Sequence, residues 1–133
     1  MKSRITLTLH PRTEAQHQTN VIRWTLLHRH EYPELALLHH IPNGGSRDPV
    51  EARHLKDQGV KRGVPDLCLP VPRGHYHGLY MELKTETGRA TAEQEWWGER
   101  LCAQGYAWRI CHGWQEAVTI LEGYLSLEGG AAL

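Results

Sequence analysis

The chain has 133 residues, 40% hydrophobic and 23% charged, with 15 Lys+Arg balanced by 15 Asp+Glu. That length suits one compact domain around one core and leaves no room for a second, and no apolar run approaches the ~18–20 residues of a membrane span. The opening MKSRITLTLHPRT alternates Ile5, Leu7 and Leu9 with polar residues, unlike a secretory leader, and the neutral balance at face value excludes nucleic acid, whose phosphates are bound by Lys and Arg.

Thr13 reads as the N-cap of a first helix running to about His30, with Val21, Trp24 and His28 at helical spacing and Glu14 seven residues before Val21 on the same inward stripe. Leu35 to Ile41 is an apolar run suited to a buried strand, closed by the turn sequence Pro42-Asn43-Gly44-Gly45. Asp48-Pro49 supplies N-cap and N1 of a second helix that Gly59 ends. From Asp66 the period becomes two: Leu67, Leu69 and Val71, then, after a turn at Arg73-Gly74-His75, Leu79, Met81 and Leu83 form the oily face of a hairpin. A turn centred near His75 places Asp66 opposite Lys84 and diagonal to Glu82 on the other face. Thr91-Ala92-Glu93-Gln94 is a capping-box pattern opening a helix with Gln94, Trp97 and Leu101 on one stripe and Gly105 as its stop. Tyr106 to Cys111 makes a further strand and Trp114 to about Leu125 a last helix, its inward positions Trp114, Val118, Leu121 and Leu125. The order α, β, α, β, β, α, β, α implies an α/β fold, a small sheet with helices on its faces.

The neutral total hides an asymmetry. Residues 1–62 hold ten basic and six acidic side chains, net +4, and residues 63–133 hold five and nine, net −4. Six of the 10 histidines, His10, His17, His28, His30, His39 and His40, add part-charges to the basic end. The histidines show no HExxH spacing, and Cys68, Cys102 and Cys111 are odd in number and never in a CxxC pair. Neither zinc nor a disulfide framework is expected, and a reducing cytoplasm fits. Scattered core or surface histidines, cysteines filling the core, a buried Trp97 and a half-buried Trp96 are the ordinary readings of these residues.

The chemistry is concentrated in Gly63-Val64-Pro65-Asp66 and Glu82-Leu83-Lys84. Pro65 biases the chain to extended geometry where the strand begins, so Asp66 projects from a strand end, and Glu82 and Lys84 share one face of the next strand. Two carboxylates on adjacent strands form a hard-oxygen site suited to Mg²⁺ or Mn²⁺, and the lysine beside them can hold a water or stabilise phosphoryl charge.

Pro65-Asp66 with Glu82-x-Lys84 resembles the PD-(D/E)xK nuclease motif, and the surrounding residues are similar to its VRR-NUC branch, the virus-type replication-repair nucleases. These are Glu14 in a Gln-rich first helix, Asn43-Gly44-Gly45, Gly63-Val64-Pro65-Asp66-Leu67, Glu82-Leu83-Lys84-Thr85 running to Gly88-Arg89, then Gln94, Trp97, Leu101 and Gly105. The resemblance covers residues 13–125, leaving residues 1–12 as an extension and 126–133 as a tail whose last residues, Glu128 to Leu133, read as a loose end. It implies a restriction-endonuclease-like core with a small mixed sheet flanked by helices. It further implies that Glu14, Asp66, Glu82 and the Leu83 carbonyl bind Mg²⁺ or Mn²⁺, that Lys84 acts on the attacking water, and that Gln94 assists. The implied reaction is metal-dependent hydrolysis of DNA phosphodiesters. Stand-alone members are similar to Holliday-junction resolvases, which implies a homodimer acting on branched DNA in replication, repair or recombination, in a bacterial cytoplasm and of phage or prophage source.

Position and charge nominate Arg47, Arg53, Lys56, Lys61, Arg62 and Arg89 as phosphate contacts. Two other readings compete. One is a non-catalytic DNA-binding module of the same fold, disfavoured by the intact Glu14, Asp66, Glu82 and Lys84. The other is a nuclease of this fold for linear or flap DNA.

Overall fold

A computed structural model describes residues 4–43 and 47–133. Its elements follow the expected order: α1 (Glu14–His28), β1 (His39–His40), α2 (Pro49–Asp57), β2 (Leu67–Leu69), β3 (Leu79–Lys84), α3 (Ala92–Ala103), β4 (Ala107–His112) and α4 (Trp114–Leu125). The four strands form one mixed sheet in the order β1-β2-β3-β4, antiparallel except for β3 and β4, whose parallel pairing requires the crossover through α3.

Local signals set the helix starts. Thr13 and Thr91 each close a capping box, with Gln16 and Gln94 at N3, and the Asp48 carboxylate accepts from the Val50 and Glu51 N–H groups. The last helix begins differently. Its N-cap, Gly113, has no side chain to offer, and Nδ1 of His17 on α1 accepts the Trp114 N–H at 3.1 Å.

The core lies on one side of the sheet. Leu79, Met81 and Leu83 of β3, Leu67 and Leu69 of β2, and Cys111 of β4 pack under Val21 and Trp24 of α1 and Ala117, Leu121 and Tyr124 of α4. The opposite side carries Tyr80, Glu82 and Lys84, which pair in register with Trp108, Ile110 and His112. Both faces of β3 are therefore covered, and its polar row is buried where a hairpin with one oily face would leave it wet.

Four expectations are corrected here. Pro33 to Leu37 is a short 3-10 turn, and only His39–His40 is strand. Pro33, with φ fixed and no N–H, favours the first position of a helical turn, and Leu35 and Leu38, three apart, turn inward while Leu37 is 53% exposed. The hairpin register is shifted: Leu67 pairs with Met81, so continuing the ladder sets Asp66 opposite Glu82 rather than Lys84. The connection is asymmetric, with the Val71 N–H bonding back to Leu69 O at 2.9 Å. The C-terminal residues are not loose: Leu133 packs against the core, its N–H donates to the Tyr76 hydroxyl, and Arg109 Nη2 donates to its carbonyl. Cys102 is exposed, whereas Cys68 and Cys111 fill the core. Gly44 and Gly45 of the expected turn lie outside the described residues.

α3 reaches the sheet through Gly98, its one buried residue, where a Cβ would overlap the Trp108 indole. Gly98→Ala therefore gains up to ~1 kcal/mol of helix propensity and incurs ~1–3 kcal/mol of overpacking. Chemical denaturation should show a net loss of stability; an unchanged or raised midpoint contradicts this packing.

Candidate active site

Asp66 stands at the mouth of β2, directly after the buried Pro65. Its Oδ2 accepts the Leu83 N–H at 2.8 Å, which ties the loop to the far end of β3. The backbone of Asp66 is fixed on its other side by β1, since its carbonyl accepts from Ile41 N–H at 2.8 Å and lies 2.7 Å from His40 Nδ1. Gly63 lets this loop approach α3. Its φ is +85°, and a Cβ there would meet the Glu93 backbone carbonyl carbon at 2.8 Å.

Glu82 projects from β3 beneath α3 and is only 2% exposed. Gln94 Nε2 donates to its Oε1 at 2.8 Å, while Oε2 is buried with no hydrogen-bond partner among the described residues. Gln94 thus does two jobs at once: its Oε1 accepts the Thr91 N–H at 2.8 Å to complete the cap, and its amide nitrogen grips the acid. Lys84, two residues further on the same face, is 6% exposed, and its Nζ lies 3.6 Å from Oε1 of Glu14. Glu14 does not turn inward with Val21 as expected. Its side chain is half exposed and reaches the lysine from the first turn of α1.

Burial pushes the Glu82 carboxyl well above its ordinary 4.5, and the charge of the neighbouring Asp66 pushes it further; Lys84 opposes, and Glu14 adds to the rise. The two acids cannot both stay ionised at close range without a compensating positive charge. Among the described residues no three acidic, thiol or imidazole groups are placed to hold a metal ion, and Glu14 is paired with Lys84. The donor set nevertheless fits a hard cation: an orphaned carboxylate oxygen, a second carboxylate beside it, and the Leu83 backbone between them.

Arg47, Arg53, Lys56, Lys61, Arg62 and Arg89 are all exposed. α2, which carries two of them, buries no residue at all. Sequence reasoning missed the grip of His17 on α4, which holds the Glu14-bearing helix beside the end of β4. Trp96 is half-buried as expected, 51% open, whereas Trp97, expected buried, is only partly so.

A mixed sheet wrapped by helices, with two acids, a lysine and a glutamine gathered at one strand end, defines a nuclease-type α/β domain. Residues 12–115 match the VRR-NUC domain, and the chain belongs to the VRR-NUC family. It is similar to a solved structure described as a VRR_NUC domain protein, at 31% identity over 94% of this chain and 99% of the other, with a TM-score of 0.78. Among curated proteins none matches. Among the described residues no helix is long and apolar enough to cross a membrane.

The raised pKa of Glu82 fixes the sign of a pH effect. Below about 4.5 the acid is protonated folded or unfolded, and it costs nothing; as pH rises, the unfolded chain releases this proton first, so the burial penalty grows. In chelator, Glu82→Gln should melt higher than wild type by a margin that widens from pH 4.5 towards 8. A margin independent of pH, or reversed, contradicts the burial of this acid.

Proposed function

We propose that the chain is a DNA endonuclease that hydrolyses phosphodiester bonds with Mg²⁺ or Mn²⁺ held by Glu14, Asp66, Glu82 and the Leu83 carbonyl. The observation that carries this reading is the buried Oε2 of Glu82, without a hydrogen-bond partner among the described residues and beside a second carboxylate. Ionising this acid next to a like charge is costly, and a divalent ion would offset that cost.

The chain's own residues then have distinct tasks. Gln94 holds one Glu82 oxygen and leaves the other without a hydrogen bond among the described residues. The Leu83 N–H fixes Asp66, so the two acids are set before any ligand arrives. Lys84, desolvated and facing the same space, positions the attacking water or balances charge developing on the phosphoryl group. Glu14 holds the lysine from the exposed side, and its exchange of Lys84 for the cation would complete the ligand set. A cation bound there would polarise the phosphoryl oxygens and acidify the water.

Arg47, Arg53, Lys56, Lys61, Arg62 and Arg89 supply the exposed positive charge that would bind the DNA backbone on both sides of the cut. The family resemblance supports action on branched DNA such as four-way junctions, by a homodimer, in replication, repair or recombination. Catalysis is favoured over an inactive binding module because the buried acids and lysine burden the fold and have no packing role that apolar residues would not fill better.

The test is incubation of wild type and Glu82→Gln with four-way junctions, flaps, linear duplex and single strands, with Mg²⁺ or Mn²⁺ and with chelator. Wild type should cut only with metal. Glu82→Gln should lose at least about 100-fold in rate, the order lost when one preorganised charge is removed. Equal products from both proteins, or none from wild type, would refute the nuclease reading; cutting of linear duplex alone would remove the selectivity for branches.

A further inference from the structure

On the outer side of α3, an open groove of about 710 Å³ lies between that helix and the loop that leads to Asp66. Six of its residues matter: Lys61 and Arg62 on the loop, and Glu93, Trp96, Trp97 and Arg100 on the helix. Trp97 is pinned, its Nε1 donating to the Arg62 carbonyl at 3.0 Å, and it meets Trp96 edge to face with centroids 5.8 Å apart. The Arg100 guanidinium lies over Trp96, 4.5 Å from the ring centroid, which orients the indole and still leaves 51% of the residue open to solvent. Arg100 also contacts Glu99 at 3.3 Å, and Arg62 reaches Glu93 at 4.0 Å, both pairs on exposed side chains where such bridges are weak and easily exchanged.

Trp96 leaves half of a large flat apolar surface open in this groove, and the charge around it points to the class of ligand that would cover it. Three cations and one anion line the groove, so its occupant combines a flat apolar body with negative charge. A nucleobase on its phosphodiester backbone has that combination: the base stacks on the indole and the phosphates meet Lys61, Arg62 and Arg100. The groove is also joined to the catalytic residues by short covalent paths. Arg62 precedes Asp66 by one loop, and Gln94, which holds Glu82, lies on α3 about one turn before Trp97.

We infer that this groove receives an unpaired nucleotide of the DNA substrate, its base stacked on Trp96, so that DNA offering a base out of the duplex, at a branch point or in a single strand, is bound in preference to blunt duplex. This rests on the nuclease reading and adds to it a substrate feature, a base out of the duplex, which blunt duplex does not offer.

The experiment is fluorescence anisotropy, in chelator so that no cutting occurs, of labelled blunt duplex, duplex with a single-stranded overhang and single-stranded oligothymidylate, each with wild type, Trp96→Phe and Trp96→Ala. Sedimentation of the same proteins accompanies it. Trp96→Ala should weaken binding of the overhang and single-stranded probes at least about fivefold, the lower end of one base–aromatic stack, leave blunt duplex within twofold, and be rescued in large part by Trp96→Phe. Equal binding of all probes by wild type and Trp96→Ala, or equal losses on blunt duplex, overturns the groove while leaving the nuclease reading intact. If no probe binds wild type, the groove inference falls, while the nuclease reading, which needs the metal and branched DNA, stands on its own cleavage test. If Trp96→Ala instead changes the sedimenting mass with no selective loss on unpaired probes, the groove is an interface between copies of this chain and the inference fails.

Discussion

The burial of the Glu82 carboxylate on β3, next to Asp66 and beneath α3, is the constraint around which the domain is arranged. The opposite side of the same strand carries Leu79, Met81 and Leu83 into the core, so Glu82 cannot retreat to solvent without breaking a strand that the core depends on. Each element contributes a contact to this end of β3: β2 brings Asp66, α3 brings Gln94, α1 brings Glu14 to Lys84, and α4, capped by His17, anchors α1. The result is a site assembled from residues far apart in sequence and held by a scaffold whose stability comes from elsewhere.

That arrangement sets stability against function. A buried carboxylate with one oxygen unbonded among the described residues and a like-charged neighbour weakens the fold, and the penalty is partly avoided by keeping a proton on the acid. An apolar side chain in its place would pack without such a penalty. The features that replace this simpler solution, namely the Gln94 amide, the Leu83 N–H and the desolvated Lys84, all act on the acids' geometry, which is what preorganisation for a cation and a phosphate requires. The charge balance of the whole chain reads differently in this light. Asp66 and Glu82 stand together with Glu14 paired to the nearby Lys84, and a divalent ion at the two acids would leave the exposed arginines and lysines of the loop and of α2 less opposed.

What was legible in the sequence follows the range of the interaction. The caps at Thr13, Asp48 and Thr91 announce themselves within four residues, and the motif spacing from Asp66 to Lys84 placed the acids at one strand end. The register was misread by two because the Leu69–Val71 reversal makes the hairpin asymmetric, a backbone matter that side-chain alternation does not encode. Leu35 and Leu38 look like strand residues until Pro33 turns the segment into a 3-10 turn with a period of three. The bond from Trp97 to Arg62 O and the partial burial of Trp97 depend on how the loop at Gly63 meets α3, and no local pattern reports that contact.

The central claim is that the Asp66 and Glu82 pair is built for a divalent ion. Calorimetric titration of Mn²⁺ into the metal-free protein, compared with Glu82→Gln and Asp66→Asn, tests it without reference to any substrate. The account predicts saturable binding to wild type, with at least about a tenfold loss of affinity in each variant, since each loses a charged oxygen ligand. Binding of equal strength in all three proteins, or none in wild type, would contradict it.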